Sequence, residues 1–257
     1  MKKSLTFLLI LFFINCSNKS VNVNLDFSNN FEKAVKFFNK GKFSRARDEF
    51  DHIIRSDAGS KWANESQFYK GECLFEIKEY DEAWVAYDRY VRFSNDFIKI
   101  EKSRYRICEC AILSSNSYQR DQKQTKRALE QLQMFIEDFP QSDFIENAEK
   151  SIAELRYKLA KKEYEVARLY LKLEEYDSAI IYFRFVLNNY YDTEFSDEAR
   201  IGIIFTHILN DNRKGAKRYL KAEKNRFLKS EKYDMADNLI KDTENGLKIH
   251  HYYQLYK

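Results

Sequence analysis

The chain contains few of the residues that interrupt regular backbone structure. Only 6 Gly and 1 Pro occur among its 257 residues, too few for the many tight turns of an all-β fold. Hydrophobic residues still make up 44% of the chain, which is enough for a sizeable core and argues against disorder. The composition therefore predicts an all-α protein.

An excess of one charge is also missing. The chain has 44 basic and 40 acidic residues, and because Lys2 and Lys3 lie in a predicted leader, the mature protein keeps a net charge of about +2. Basic and acidic residues are interspersed along the chain, whereas nucleic-acid binders gather basic residues on one face. We therefore predict that nucleic acid is not a partner.

The sequence lacks the residue patterns of enzymes and metal sites. Its four histidines have no zinc-binding spacing, and no glycine-rich phosphate loop occurs. Acidic residues follow the presumed solvent faces of helices, and no acid–base pair stands out. We predict no catalytic site, no metal and no cofactor apart from a covalent lipid.

Three cysteines lie inside the predicted folded region, and no Cys-x-x-Cys motif occurs among them. Cys108 and Cys110 are two residues apart, which on a helix turns their side chains about 200° away from each other. A disulfide between Cys73 and Cys108 across stacked helices is an open alternative. The pattern favours buried free thiols that pack as small apolar groups.

The first sixteen residues have the pattern of a bacterial secretory leader. A short apolar run, Leu5–Ile14, follows two lysines and is closely followed by Cys16. Ten helical residues rise about 15 Å, half of the roughly 30 Å hydrocarbon core, so the run is too short to span a membrane. A Cys directly after such a run resembles the lipobox of bacterial lipoproteins, although Asn15 replaces the usual small residue.

We therefore predict a lipoprotein signal peptide over residues 1–15 and a covalent lipid on Cys16. Residues 16–30 are predicted to be a flexible lipid tether, because the stretch from Ser17 to Asn30 is polar, contains five Asn and shows no helical periodicity. The alternative is ordinary signal-peptide cleavage nearby, with Cys16 as an incidental residue.

A repeated pattern fills the chain after residue 30. In each copy an alanine is followed by large apolar residues four and, in most copies, seven positions later, and the clearest copies also have an aromatic residue three positions before it. The copies are centred on Ala46, Ala83, Ala128, Ala179 and Ala216, which are 37, 45, 51 and 37 residues apart. Positions i, i+4 and i+7 share one helix face, and Ala at a helix crossing lets two backbones approach closely. Each copy is therefore predicted to be the second helix of a hairpin.

Small residues mark the crossing point on the preceding helix. Ala34, Gly71 and Ala167 stand twelve residues before three of these alanines, whereas the fit fails at Asn116 and Ile204. A helix hairpin of this kind resembles the tetratricopeptide repeat of about 34 residues. We predict an all-α fold of tetratricopeptide-like hairpin repeats stacked in a right-handed solenoid. The alternative is a non-repetitive helical bundle.

The repeat spacing exceeds that of the tetratricopeptide repeat, so additional segments must absorb the difference. We predict a long loop near Ser114–Lys126 and a long helix from about Phe144 to Leu173. The stretch from Ser230 to Leu247 has the length and apolar spacing of a capping helix. Residues 31–257 would then form one repeat domain of about five hairpins plus this cap.

A family resemblance is carried by the long helix and its neighbours. Residues 159–170, with the sequence LAKKEYEVARLY, resemble the long-helix motif of BamD, the lipoprotein of the outer-membrane β-barrel assembly machinery. Residues 176–199 are similar to the next hairpin of that family, and residues 120–142 to its middle repeat. The chain departs from the family at Ser56-Asp57 and Ser94-Asn95, where a Tyr-Pro helix stop is usual.

The resemblance implies a function as well as a fold. It implies a lipid-anchored scaffold on the periplasmic face of the outer membrane that helps to fold and insert outer-membrane proteins. The carboxy-terminal repeats would bind the barrel-inserting subunit BamA, and the amino-terminal ones would receive unfolded outer-membrane proteins. Two alternatives stay open: another envelope assembly task, such as piloting a secretin or coordinating cell-wall synthesis, and a degenerate enzyme.

Six side chains are candidates for partner contacts. The aromatics Phe38, Phe68 and Phe75 on first helices are candidates for an amino-terminal groove, and their alternative role is to form core. The charged residues Glu163, Glu165 and Arg168 on the long helix could meet a partner, and their alternative is a solvated face. Affinity in such a scaffold would come from a few anchors without any chemistry.

Overall fold

The structure is a computed structural model that describes residues 27–245. The regular elements of this range are one 3-10 turn, Lys224–Arg226, and eleven α-helices. The helices are α1 (Phe27–Asn39), α2 (Phe43–Ser56), α3 (Lys61–Glu76), α4 (Tyr80–Phe93), α5 (Phe97–Leu113), α6 (Lys123–Asp138), α7 (Ile145–Lys172), α8 (Tyr176–Asn189), α9 (Phe195–Leu209), α10 (Arg213–Glu223) and α11 (Ser230–Glu244). The predicted signal peptide (1–15) and lipid site (Cys16) lie outside the described residues.

The helices pack in sequence as five hairpins, α1–α2, α3–α4, α5–α6, α7–α8 and α9–α10, and α11 follows. First helices of neighbouring hairpins also touch, namely α1 with α3, α7 with α9, and α9 with α11. These contacts place the first helices on the inner side of the stack and the second helices on its outer side. The predicted all-α, tetratricopeptide-like repeat fold is confirmed.

The repeated alanines lie where the sequence places them. Each occupies the second helix of its hairpin and is 0% exposed. On the facing helices, Ala34 and Ala167 are also fully buried, and a methyl group added at Gly71 would come within 2.7 Å of the Tyr87 ring. Small residues at the crossings are therefore what allows the two helices of a hairpin to pack closely.

The two positions where the pattern fails have different causes. Asn116 lies in the loop between α5 and α6, the long loop predicted near this point. Ile204 is buried in α9, but the close approach on that helix occurs at Gly202, where an added methyl group would come within 2.5 Å of Phe183. Here the small residue accommodates the preceding hairpin, so a fixed twelve-residue offset does not find it.

Four of the five hairpins turn in the same way. Gly41, Lys78, Glu174 and Asp211 have φ angles of 68°, 66°, 61° and 51°, and each stands five residues before the buried alanine of its hairpin. The residue after each of them donates its backbone N–H to a carbonyl five residues earlier, as Glu175 does to Tyr170 at 3.0 Å. A left-handed residue at this point ends the first helix and reverses the chain.

The long helix and the last helix match their predictions closely. The long helix spans Ile145–Lys172, within one residue of the predicted bounds at each end. The last helix begins at Ser230, as predicted, and ends at Glu244. No described helix is both long enough and apolar enough to cross a bilayer.

The predicted tether is too long at its carboxy-terminal end. The first helix begins at Phe27, so residues 27–30, which the sequence reading assigns to the tether, are helical. The reason is Phe31, one helical turn into α1, which packs against the amino-terminal core. Phe31 packs its ring against Phe50 and Trp62 at centroid distances of 5.6 and 5.1 Å, which ties this turn to the core.

The three described cysteines are free thiols in the core. Cys73, Cys108 and Cys110 are 0%, 1% and 1% exposed, and none forms a disulfide. The prediction of buried free thiols is confirmed, and the alternative bridge between Cys73 and Cys108 is absent. Burial raises the pKa of each thiol to about 12, so these cysteines stay protonated at neutral pH.

Candidate partner-binding surfaces

A cavity of about 510 Å³ opens on the inner side of the carboxy-terminal hairpins. We call it the inner cavity. Its walls come from α7, from the start of α9 and from the start of α11. One wall is a stripe of four α7 residues that follow one another at spacings of four, three and four: Tyr157, Lys161, Tyr164 and Arg168. These spacings put all four side chains on one face of the helix. We call this set the α7 stripe.

The aromatic members of the α7 stripe fix the wall. The Tyr164 ring packs against Phe183 at 5.7 Å and against Phe195 at 5.3 Å, and Tyr157 packs against Phe195 at 5.0 Å. Tyr164 is 7% exposed, whereas Tyr157 is 41% exposed. Burial raises the pKa of Tyr164, so its hydroxyl stays protonated. The stripe is thus rigid at its centre and open to contact at its amino-terminal end.

Arg168 has unused hydrogen-bonding capacity in this cavity. Its Nη1 donates to Glu165 Oε1 at 3.0 Å, and its Nε is buried without a hydrogen-bond partner among residues 27–245. A buried donor without an acceptor is costly. An incoming carboxylate or carbonyl oxygen would relieve that cost, since a guanidinium binds such groups strongly.

The opposite wall is held in place by a buried carboxylate. Asp197 is 2% exposed and accepts the backbone N–H of Leu228 and of Lys229, each at 2.9 Å. Arg200 donates to Asp197 and to Glu223, at 3.2 Å in both cases. These bonds fix the segment that leads into α11, so the cavity has two defined walls.

The structure brings together two of the three charged residues predicted on the long helix. Glu165 pairs with Arg168 beside the cavity, whereas Glu163 is not among its lining residues. Glu163 acts on the other side of α7, where burial and then its charge raise the pKa of Tyr190. The sequence reading missed Tyr157 and Lys161, although their spacing from Arg168 was available as a signal.

A second cleft lies on the outer side of the amino-terminal hairpins. A cavity of about 640 Å³ runs between α2 and α4 with α3 as its floor. A neighbouring cavity of about 580 Å³ shares Gln67 and Arg89 with it and continues to Phe93. The two form one groove, which we call the outer groove. Arg89, at the junction, has no ion pair within the described chain.

Ion pairs line the outer groove at its charged end. Lys70 contacts Asp51 at 2.6 Å, and Arg47 contacts Glu79 at 3.5 Å. Burial opposes ionisation of Asp51, but its hydrogen bond and its charge interactions with Lys70 outweigh this and lower its pKa. The groove therefore presents ion pairs at one end and a mixture of apolar, polar and basic side chains at the other.

The three predicted aromatic anchors do not line the outer groove. Phe68 is 5% exposed and belongs to the core, which confirms the alternative that this residue is structural and corrects its assignment to an open groove. Phe38 packs against Phe43 and Tyr69, and Phe75 lies 4.4 Å from the Arg106 guanidinium. Phe68 is covered by neighbouring helices, whereas Phe38 and Phe75 are partly exposed; the outer groove lies between second helices.

Comparison with known proteins identifies the family of the sequence. The sequence profile of the family YfiO, described as an outer membrane lipoprotein, matches residues 24–204. The outer membrane protein assembly factor BamD of Rickettsia prowazekii is 24% identical over 222 residues, which cover 84% of this chain and 86% of the relative. BamD of Caulobacter vibrioides is 25% identical over 179 residues, which cover 70% and 59%.

Solved structures with a likeness to this chain include the MamA protein of Desulfovibrio magneticus RS-1 and YrrB, described as a TPR protein. MamA is 14% identical, covers 78% of this chain and 95% of its own, and has a TM-score of 0.36. YrrB is 15% identical, covers 81% and 90%, and has a TM-score of 0.33. The fold assignment rests on the hairpins themselves.

Within residues 27–245 no group of three His, Cys, Asp or Glu could hold a metal ion.

Proposed function

The chain belongs to the YfiO family of outer membrane lipoproteins, and we propose that it is a lipid-anchored scaffold of the β-barrel assembly machinery. Relatives that cover most of the chain are named as outer membrane protein assembly factors. The observation that supports a binding role is the inner cavity, whose α7 stripe carries the partly exposed ring of Tyr157 at one end and, at the other, Arg168 with a buried Nε that has no partner in the described chain. Binding, orientation and release of other proteins are the functions of such a scaffold.

We assign the inner cavity to the barrel-inserting subunit. Tyr157 supplies apolar contact area at low entropic cost, and Arg168 offers a donor for a carboxylate or a strand-edge carbonyl. Lys161 adds a second positive charge between them. A backbone-exposing loop of the partner that carries charges of both signs fits this surface, because four acidic and four basic side chains line the cavity and opposite charges fix register.

We assign the outer groove to unfolded outer-membrane proteins. An extended peptide carries apolar side chains and backbone polar groups along its length, and the groove offers both kinds of surface. Ile54 and Ala63 supply apolar contacts in the groove, and neither Arg89 nor Lys61 has an ion pair within residues 27–245. Phe38 and Phe75, which are partly exposed, stay candidates for an amino-terminal contact, whereas Phe68 is buried.

The membrane attachment is proposed at Cys16. In this proposal the signal peptide over residues 1–15 is removed, the new amino-terminal cysteine carries an acyl lipid, and the repeat domain faces the periplasm. The scaffold has no catalytic role and uses no cofactor beyond the lipid.

Purification of the tagged chain from its native envelope in mild detergent tests the function. Mass spectrometry of the co-purified proteins should recover a barrel-inserting subunit in amounts comparable with the tagged chain. Recovery of a secretin or a cell-wall synthase without that subunit would instead support another envelope task and overturn the proposal.

The lipid site has its own test. Cells grown with a tagged fatty acid should incorporate the label into the wild-type chain and not into the Cys16→Ser variant. Label in that variant would contradict the assignment.

A further inference from the structure

Three large apolar side chains project from the corner between α4 and α5. Phe93, Phe97 and Ile98 are 77%, 80% and 82% exposed, the highest values for large hydrophobic residues in the described part of the chain. We call this set the apolar corner. A contiguous exposed patch of this type is characteristic of a contact with a partner or a membrane.

The apolar corner is held in shape by local hydrogen bonds. Asp96 caps α5, because its side chain accepts the Lys99 backbone N–H at 3.2 Å. The Ser94 hydroxyl accepts the backbone N–H of Asp96 at 3.1 Å, and the Asn64 side chain donates to the carbonyl of Phe93 at 3.3 Å. The apolar side chains are therefore presented outward by an ordered turn.

The apolar corner lies on the edge of the stack at which the chain enters the fold. In a row of antiparallel helices, every first helix begins and every second helix ends at one edge. Phe31, near the start of α1, packs against Trp62 near the start of α3 at 5.1 Å, and the Asn64 bond joins that helix start to the end of α4.

Positive charges on this edge are suited to lipid phosphates. Lys61 is exposed at the start of α3, and the Arg92 side chain is 67% exposed at the end of α4, where it pairs with Asp88. Long basic side chains keep an apolar stem near hydrocarbon while their charge reaches the headgroups. Apolar side chains flanked by such cations are the usual composition of an interfacial membrane contact.

We propose that the apolar corner inserts into the surface of the phospholipid bilayer to which the chain is anchored, an inference that rests on the lipid proposed at Cys16. Eleven residues lead from Cys16 to the start of α1 at Phe27, and they reach about 40 Å at most. The edge at which α1 begins is therefore tethered close to the bilayer. Insertion of the corner would turn that edge toward the membrane and leave the inner cavity accessible from the side.

Site-directed spin labelling of the full, lipidated chain tests this inference. An Ile98→Cys variant carries a nitroxide at the apolar corner, and a Leu173→Cys variant is the matched control, since Leu173 is 61% exposed but lies in the turn between α7 and α8 on the opposite edge. The native Cys73, Cys108 and Cys110 are buried and will not compete for the label. Each protein is extracted from membranes, reconstituted in vesicles of phosphatidylethanolamine and phosphatidylglycerol, and isolated by flotation.

The ratio of collisions with oxygen to collisions with a water-soluble nickel chelate reports whether a label lies in lipid. We expect this ratio at position 98 on vesicles to be severalfold above the value of a fully water-exposed label. At position 173 it should equal that aqueous value. Aqueous values at both positions on the floated vesicles would overturn the inference, and would leave the corner as a surface for protein.

A second variant separates the corner from general proximity to the membrane. Phe93→Asp with Phe97→Asp, added to the labelled Ile98→Cys chain, should return the ratio at position 98 to its aqueous value while helicity and flotation persist. A ratio that stays high would show that the corner does not cause insertion. Failure of the barrel-assembly function would appear elsewhere, as the loss of the barrel-inserting subunit from the co-purified proteins.

Discussion

The carboxylate of Asp197 accepts the backbone N–H of Lys229 at 2.9 Å, across 32 positions of sequence. The bond joins the first turn of α9 to the segment that begins α11, and the neighbouring N–H of Leu228 binds the same carboxylate. Asp197 itself is 2% exposed, whereas Leu228 and Lys229 lie on the surface. The buried carboxylate of Asp197 therefore holds the start of α11 against α9.

Asp197→Ala should loosen α11 more than the rest of the fold. The substitution removes the acceptor of two part-buried backbone donors and one of the two carboxylates that Arg200 binds, so we expect the free energy of unfolding to fall by about 2 kcal/mol. Amide hydrogen exchange should accelerate most in α11. The matched control is Asp234→Ala, an exposed acid on α11 itself, which should change neither quantity measurably. Equal exchange rates in both variants would contradict this role of Asp197.

Glu174→Gly should stabilise the protein. Glu174 adopts a left-handed backbone with φ of 61°, which costs a residue with a Cβ about 1 kcal/mol and costs glycine almost nothing. The control is Glu175→Gly, since Glu175 has φ of −83° and glycine there only adds freedom to the unfolded chain. Urea denaturation should show a gain of up to about 1 kcal/mol for the first variant and none for the second. A loss at position 174 would count against the turn geometry.

A buried polar cluster joins the second and third hairpins and should make stability pH-dependent. The Tyr87 hydroxyl donates to Glu72 at 2.7 Å, and Arg106 and Lys102 donate to the same carboxylate at 3.2 and 3.1 Å. Burial alone would raise the pKa of Glu72, but the bond from Tyr87 and the two positive charges outweigh it. The pKa is lowered below its usual 4.5.

The sign of the effect follows from that lowered pKa. A carboxylate whose pKa is lower in the folded state contributes stability above its unfolded value of 4.5, and this contribution disappears as the pH falls through the folded value. Glu72→Gln should therefore cost about 2 kcal/mol near neutral pH, and less as the pH drops below about 4. The exposed Glu76→Gln is the control. A Glu72→Gln deficit that is independent of pH would contradict the charge-based explanation.

Gly202→Ala should destabilise the junction between the fourth and fifth hairpins. The added methyl group would come within 2.5 Å of the Phe183 ring, and such overpacking costs about 1–3 kcal/mol, more than the roughly 1 kcal/mol that alanine adds to helix propensity. Phe183→Leu makes room, so a double-mutant cycle should show that the two substitutions together cost less than their sum. Strict additivity would mean that Phe183 does not limit this position.

Much of the fold is readable from the sequence because the physical constraint is local. A helix crossing demands a small residue with apolar neighbours at i+4 and i+7, so the spacing of Ala46 and its counterparts reports each hairpin directly. The bounds of α7 follow from the same periodicity over many turns. The crossing at Gly202 escaped this reasoning because it accommodates Phe183 of the preceding hairpin, and no fixed offset encodes that contact.

The binding surfaces were less predictable. Periodicity shows that the face of α3 with Phe68 is apolar, but it does not show which neighbouring helix covers that face. The open groove lies instead between α2 and α4, and Arg89 lines both of its cavities. Likewise, the hydrogen bond that the Lys229 backbone donates to Asp197 joins segments that are distant in sequence. The cavity wall that depends on this bond is therefore visible only in the folded chain.

The most direct test of the scaffold function compares two charge reversals on one helix. Arg168→Glu places a negative charge in the inner cavity, whereas Lys150→Glu makes the same change on an exposed part of α7. With equal helicity and expression, the Arg168 variant should co-purify at least about tenfold less barrel-inserting subunit, equivalent to a loss of about 1.4 kcal/mol, while the Lys150 variant should match the wild-type chain. Equal recovery with both variants would contradict the assignment of the inner cavity as the site that binds this partner.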